Sequence, residues 1–302
     1  MPEVSIVIPA FRAEDTIERC LRALAAQQGA PAFEVLLVDS SPGDQAIRSA
    51  RSVAGEAGLT LRVFHLAERT WPGVARNEGA RHASAARLLF LDADVEAAPD
   101  LVACALQAWT EGTEVVGGEI ALADESTVSA RLRHLFEFKE SMPGNAREVR
   151  WQLPSACLGV TRAAFERAGG FPPTRASEDW LFNWSLWQKA TRMAFEPALR
   201  VRHHTKAGWA DFFRYAGVLG HASGAARREG SLPGQLFVQR PWLAFLLPFG
   251  RTWRAAAWAL RSSPEAAKLL LWTWPAYLAV CIAWAAEFRR GVLDLPAPSV
   301  GR

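Results

Sequence analysis

Two carboxylates one residue apart, Asp92 and Asp94, close the apolar run Arg87-Leu-Leu-Phe-Leu91. Neighbouring carboxylates repel unless something positive lies between them, and a divalent cation carrying a diphosphate is the usual answer. In an extended segment the side chains of residues i and i+2 point to one side, so both acids could face one ligand. An isolated Asp-x-Asp is equally a solvated turn, so its meaning depends on its neighbours in space. Three other groups could do chemistry: Asp39 at the end of a second apolar run, the acidic pair Glu178-Asp179 behind Ser177, and His203-His204 with Arg202 and Lys206 beside them. Local physics already accounts for the acidic pair, with Ser177 as a helix N-cap and two acids in a first turn that favours negative charge.

Strands are needed to deliver these residues. Val4 to Ile8 is β-branched and closed by Pro9, Phe33 to Val38 leads into Asp39, and Leu61 to Leu66 follows as a third strand. Between them, Glu14 to Gln28 is an amphipathic helix with Ile17, Leu21 and Leu24 on one face, Gln45 to Ala57 is helical, and a small-residue helix follows Trp71 to about Ala86. The run ending at Asp92 is then a buried fourth strand. This alternation predicts a parallel sheet covered by helices on both faces, with Asp39 and Asp92 on the carboxyl edge where open α/β sheets bind ligands. Beyond Asp94 the pattern predicts a helix over Pro99 to Thr110, a strand near Val115 to Ile120 and a less periodic stretch from Ala123 to Arg150. That stretch allows a helix over Val128 to Lys139 and a mobile loop at Met142-Pro-Gly-Asn145. An extended segment at Ala156 to Thr161, a helix from Arg162 to Ala168 capped by Gly169-Gly170, a helix opened by Ser177 and a strand from Ala198 to His203 complete this part.

The chain of 302 residues exceeds the usual domain size, and a net charge of +3 makes no case for a nucleic-acid partner. Four scattered cysteines without Cys-x-x-Cys spacing point to a reducing compartment, with neither a disulfide framework nor a zinc site. The amino terminus lacks the pattern of a signal peptide, which places the catalytic part in the cytosol. From about Ser231 the composition changes. Leu269 to Ala286 carries no charge, and six of the 13 tryptophans fall in the last quarter, as at a lipid interface. Eighteen residues rise roughly 27 Å against a hydrocarbon core of about 30 Å, borderline for a span. Trp242 to Leu260 is apolar but broken by Pro248, Gly250, Arg251 and Arg254, so it fits a broken span, a re-entrant segment or an interfacial helix. Two amphipathic helices packed on a soluble domain would carry the same composition.

In order along the chain, Ser5-Ile-Val-Ile-Pro9, Glu34-Val-Leu-Leu-Val-Asp39 with Ser40-Ser-Pro-Gly-Asp44, Pro72-Gly-Val-Ala-Arg-Asn-Glu-Gly79, Leu89-Phe-Leu-Asp-Ala-Asp94, Gly169-Gly-Phe171, Ser177-Glu-Asp179 and Val201-Arg-His203 resemble glycosyltransferase family 2. The resemblance covers about Val4 to Tyr215. It implies an α/β GT-A fold, a Rossmann-like and mostly parallel sheet with helices on both faces, followed by the hydrophobic helical region. Residues 1–230 would be the catalytic domain, with a nucleotide-sugar half to 122 and an acceptor half from 123, and residues 231–302 the membrane-associated part. By the same resemblance Asp39 binds the nucleotide base over a floor of Pro9 and Phe11, Arg76 and Asn77 line the nucleotide site, Asp92 lies on the ribose side and Asp94 ligates the metal. His203 completes the metal or diphosphate site, with His204 as the alternative. Asp179 resembles the catalytic base, Glu178 its acidic neighbour, and Lys206 or Arg202 would fold over the diphosphate.

The residue types suit that chemistry. A carboxylate on the acceptor side can take the proton of an attacking hydroxyl, and Mg²⁺ or Mn²⁺ can neutralise a departing diphosphate. The expected protein is a metal-dependent inverting transferase at the cytoplasmic face of the membrane, using a nucleotide-diphosphate sugar donor and a lipid-linked or envelope saccharide acceptor. Two departures stand out: Phe11 is followed by Arg12 where the family often has asparagine, and the Gln-x-x-Arg-Trp motif of processive synthases is absent, which favours single transfers. A nucleotidyltransferase would also use an acidic pair but leaves Glu178-Asp179 and His203 without roles. A non-catalytic nucleotide-binding or membrane scaffold would not need Asp39, Asp92, Asp94, Asp179 and His203 together.

Overall fold

The computed structural model describes residues 1–124, 126–205, 208–230 and 232–297. In chain order its elements are β1 (Val4–Ala10), α1 (Ile17–Ala25), β2 (Phe33–Asp39), α2 (Gln45–Ala57), β3 (Leu61–His65), α3 (Pro72–His82), β4 (Arg87–Leu91), β5 (Val95–Ala97), α4 (Leu101–Thr110), β6 (Val115–Leu122) and α5 (Val128–Phe138). Then come β7 (Cys157–Thr161), α6 (Arg162–Ala168), α7 (Glu178–Gln188), β8 (Met193–His203), α8 (Trp209–Glu229), α9 (Gln235–Gln239), a 3-10 turn at Pro241–Leu246, α10 (Leu247–Ser262) and α11 (Pro264–Val292). The chain divides into two compact units. One comprises Met1–Ala123, Ser141–Pro173 and Glu178–His204; the other comprises Asp124–Glu140, Thr174–Ser177 and the described residues from Thr205 onward.

The first unit holds a single sheet in the order β3-β2-β1-β4-β7-β6-β8-β5. The first four strands are parallel, because each apolar run returns through a helix to start at the same edge, so Asp39 lies opposite Ala10 and β4 runs alongside β1. Beyond β4 the sheet becomes mixed. β7 runs antiparallel between β4 and β6, β8 is parallel to β6 with a register shift at Gly118/Glu119, and β5 closes the edge antiparallel to β8. Leu88 and Phe90 of β4 reach one core with Leu158, Phe165, Phe171 and Phe182, where Phe171 stands edge-on to Phe90 at 5.1 Å and stacks on Phe182 at 4.4 Å. Helix α3 lies directly on the sheet, because a Cβ on Gly79 would come within 2.3 Å of the Val7 side chain. All four cysteines are free.

In the second unit α8 and α11 meet backbone to backbone: a Cβ on Gly220 would lie 2.2 Å from the Trp284 carbonyl oxygen, and one on Gly224 would lie 2.1 Å from that of Phe288. Phe136 of α5 packs edge-on to Phe212 of α8 at 5.5 Å and to Tyr277 of α11 at 6.1 Å. These contacts lie within the second unit, which takes in Asp124–Glu140 along with the C-terminal helices. Among the described residues α11 is the one helix long and apolar enough to cross a membrane by length and composition, and a third of its most apolar stretch is buried.

Candidate active site

Strand β4 stops at Leu91, and a tight turn in which the Val95 amide reaches back toward the Asp92 carbonyl (3.4 Å) carries the chain into β5. The antiparallel register of β5 with β8 sets Val95 opposite His203, and the His204 amide donates to the Asp94 carbonyl at 2.9 Å. This short pairing, which is too brief to show a periodicity in sequence, assembles the cluster. One donor atom from each of Asp92, Asp94 and His203 lies within 4.8 Å of the others, with His203 Nε2 3.5 Å from Asp94 Oδ1. Two carboxylates and an imidazole are a donor set that fits Mg²⁺ or Mn²⁺, and a cation there would relieve the repulsion between the acids. His204 turns elsewhere, with Nε2 2.5 Å from Glu96 Oε1 and Nδ1 3.3 Å from Arg19 Nη1. His203 is therefore the histidine that joins the aspartates. Lys206 lies outside the described residues.

Arg76, on α3, is 2% exposed and bridges two carboxylates from distant parts of the chain: Nη2 donates to Asp92 Oδ1 at 2.5 Å and Nη1 to Glu178 Oε1 at 2.9 Å. Burial works against its charge, but Asp92, Glu178 and Asp179 outweigh that and hold the guanidinium above its ordinary value. The planar fork of arginine suits this two-armed role. Close approach of α3 to the acidic segment depends on Gly73, where a Cβ would lie 3.1 Å from Glu178 Cγ and 3.0 Å from the Pro172 carbonyl oxygen.

Asp179 follows at the start of α7. Burial and repulsion from Glu178 push its carboxyl up from 3.8 to about 7, against the pull of Arg76 and of backbone amides at Ser155 (3.4 Å) and Trp180 (2.8 Å). The capping arrangement expected for Ser177 is not the one observed. Its φ of +67° is left-handed, whereas a capping serine sits in extended backbone. A non-glycine residue held there is strained, and such strain concentrates where side chains must be aimed.

At the ends of β1 and β2, Asp39 is fully buried and accepts from Ser41 Oγ (2.7 Å) and the Ser41 amide (3.2 Å), with His65 Nδ1 at 3.3 Å. Ser41 Oγ also accepts from the Arg12 amide at 2.8 Å, and Arg12 itself has a left-handed φ of +52°. Pro9 and Phe11 are half-buried on this edge, and the Arg69 guanidinium lies 4.4 Å from the centre of the Phe11 ring. Sequence reasoning gave no role to Ser41, His65 or Arg69; the serine pair directly after a strand-ending aspartate is the one local signal. Asn77 is engaged elsewhere: its amide donates to the Phe171 carbonyl and accepts from the Phe171 amide, both at 2.8 Å, pinning the turn after Gly169-Gly170. One N–H and one lone pair of the amide thus hold that turn.

Residues 5–169 match the family described as Glycosyl transferase family 2. The chain is 30% identical over 226 residues to the succinoglycan biosynthesis protein ExoO of Rhizobium meliloti strain 1021, covering 69% of this chain and 62% of that protein. It is 31% identical over 186 residues to the glycosyltransferase AglE of Haloferax volcanii, covering 57% of each. The chain thus spans about three fifths of the length of these curated relatives. Among solved structures it resembles the mannosyltransferase PcManGT of Pyrobaculum calidifontis in complex with GDP-Man and Mn²⁺, at a TM-score of 0.67 and 22% identity over 97% of this chain and 88% of that one. It also resembles residues 1–349 of S. aureus TarS in complex with UDP-GlcNAc, at 0.53 and 16% over 98% and 93%. With the GT-A arrangement of its sheet and the family match over more than half of its length, this chain belongs to glycosyl transferase family 2.

Proposed function

We propose that the protein is a metal-dependent, inverting, non-processive glycosyltransferase that moves a sugar from a nucleotide-diphosphate donor to a hydroxyl of a lipid-linked or envelope saccharide acceptor at the cytoplasmic face of the membrane. The observation that carries this reading is the Arg76 bridge, which holds the metal-ligand edge at Asp92 and the acceptor-side pair Glu178-Asp179 in one rigid frame. In that frame Asp94, Asp92 and His203 would hold Mg²⁺ or Mn²⁺, which would supply Lewis-acid neutralisation of charge growing on the leaving diphosphate.

Asp179, whose carboxyl titrates near neutrality, takes the proton from the acceptor hydroxyl. Glu178 is fixed by Arg76, keeps Asp179 basic through its own charge, and leaves Asp179 as the freer oxygen donor. Asp39 contacts the base of the nucleotide, and Phe11 with Arg69 forms the adjoining wall. Support for the donor class comes from the solved structures of similar fold, which hold GDP-Man or UDP-GlcNAc.

A thermal-shift panel of GDP- and UDP-sugars and their diphosphates, with and without Mn²⁺ or Mg²⁺, tests this on the wild type and on Asp94→Ala. A ligand at a hundredfold excess over its dissociation constant stabilises by ~2.7 kcal/mol, so one nucleotide class should raise the melting temperature in a metal-dependent way that Asp94→Ala loses. No shift with any nucleotide would leave a scaffold without donor binding.

A further inference from the structure

We propose that the second unit is a monotopic anchor: α10, the turn before it and the outer face of α11 lie in the headgroup region of an anionic bilayer, and α11 does not cross it. This rests on the membrane-associated part of the function proposed above and specifies how that association is made.

The first observation is a stripe. On α10, Phe249, Trp253 and Leu260 are spaced i, i+4 and i+11 and point to solvent, Trp253 at 73% and Leu260 at 76% exposure, while Pro248, Ala255 and Ala259 face inward. Trp242 and Phe245 in the 3-10 turn, and Leu271, Trp272 (84% exposed) and Trp274 on α11, are exposed as well. Exposed large apolar side chains in this number mark an interaction site, and indole rings favour the membrane–water interface over the hydrocarbon core.

Charge identifies the occupant. Between Arg240 and Lys268 the sequence has five cations and one carboxylate, Glu265, in a chain whose net charge is only +3, so the remainder of the chain is net acidic. Arg254 is paired with Glu140 at 2.8 Å, while Arg240, Arg261 and Lys268 are exposed beside the apolar stripe. Basic residues are attracted to an anionic membrane surface, and a helix with an aromatic apolar face edged by arginines is the form that lies in the interface.

The packing of α11 argues against a crossing. Its C-terminal half touches α8 through backbone atoms at Gly220, Gly224 and Gly291, and α8 carries Asp211, Arg214, Arg227, Arg228 and Glu229. A crossing α11 would take that helix toward hydrocarbon, where an ionised side chain is costly, or would break the backbone contact altogether.

The test uses the full chain with phosphatidylcholine vesicles, with and without phosphatidylglycerol, read by co-sedimentation, by alkaline carbonate extraction and by tryptophan quenching with lipids brominated at shallow or deep positions. The expected result is binding to the anionic vesicles, release by carbonate and stronger quenching from the shallow position. Trp253→Ser with Trp272→Ser should weaken binding at least tenfold without changing the melting temperature, since both side chains are exposed, and Arg261→Glu with Lys268→Glu should remove the preference for anionic vesicles. Carbonate-resistant binding with deeper quenching would overturn surface insertion while leaving membrane association in place. A stripe that covers a second copy of this chain would instead make the tryptophan variant dissociate in sedimentation without losing vesicle binding, which also overturns the proposal. Absence of binding to either vesicle would remove membrane association itself; the metal-dependent nucleotide shift, measured without lipid, tests sugar transfer separately.

Discussion

At the scale of single residues, the site is governed by how three carboxylates share one buried cation. Asp179 has a carboxyl raised from 3.8 to about 7 by burial and by the charge of Glu178. A carboxyl raised on folding favours the protonated native state, so the stability it contributes is complete below about pH 4 and declines as pH rises toward 7. Catalysis by the deprotonated form, the role proposed for Asp179, has the opposite sense, and turnover should rise with pH through the same window. Glu178→Gln removes the repulsion and frees the Arg76 charge to act on Asp179, so the acidic limb of the rate profile should move to lower pH; an unmoved limb would mean that another group limits the rate. Asp179→Asn should lower kcat by roughly 10²–10⁴-fold while the nucleotide-induced thermal shift persists. Arg76 answers to stability instead. Arg76→Ala leaves Glu178 buried without its partner, at a cost of about 3–5 kcal/mol, and Arg76→Lys should rescue little because an ammonium cannot fork to two carboxylates. Adding Glu178→Gln to Arg76→Ala should recover part of the loss in urea denaturation; strictly additive losses would show that the bridge carries no coupling.

At the scale of elements, glycines separate packing from propensity. Gly224→Ala drives a Cβ to 2.1 Å from the Phe288 carbonyl oxygen, a backbone atom that no rotamer change can move, so α8 and α11 must part and the protein should lose more than the ~1–3 kcal/mol typical of overpacking. Gly55→Ala, in the interior of α2 with nothing within 4 Å, should gain ~0.5–1 kcal/mol in the same denaturation experiment. These glycines also explain what was legible in sequence. The parallel half could be read because β1, β2 and β4 are apolar runs closed by proline or aspartate, and their two strand-ending aspartates do fall on one edge of the sheet. Helix α8 was hidden because Gly217, Gly220 and Gly224 look like breakers when they are in fact its contact face with α11. Strand β5, three residues long, has no periodicity to detect, yet its register decides that His203 and not His204 reaches the aspartates. Arg76 was legible as a residue of the site but not as a bridge, since Asp92 and Glu178 lie 16 and 102 positions away in sequence.

At the scale of the whole molecule, the chain passes between its two units at 123/124, 140/141, 173/174, 177/178 and 204/205. The composition change near Ser231 suggested a catalytic domain of residues 1–230 followed by a hydrophobic helical region, and the packing inside the second unit bears on a cut at that point. A chain ending at residue 230 would keep α5 and α8 but lose α11, stripping cover from Phe136, Phe212 and the glycine face of α8. Each large apolar side chain left uncovered forfeits ~1.5–3 kcal/mol, and several of them together reach the 5–15 kcal/mol that holds a typical domain folded. Residues 1–230 expressed alone should therefore lose the calorimetric transition of the second unit and aggregate through its bared apolar face, whereas the full chain should keep that transition. If 1–230 were soluble and gave the full metal-dependent nucleotide shift, the first unit would be stable without α11, and the helical unit would then bear on where the enzyme works and not on whether it folds.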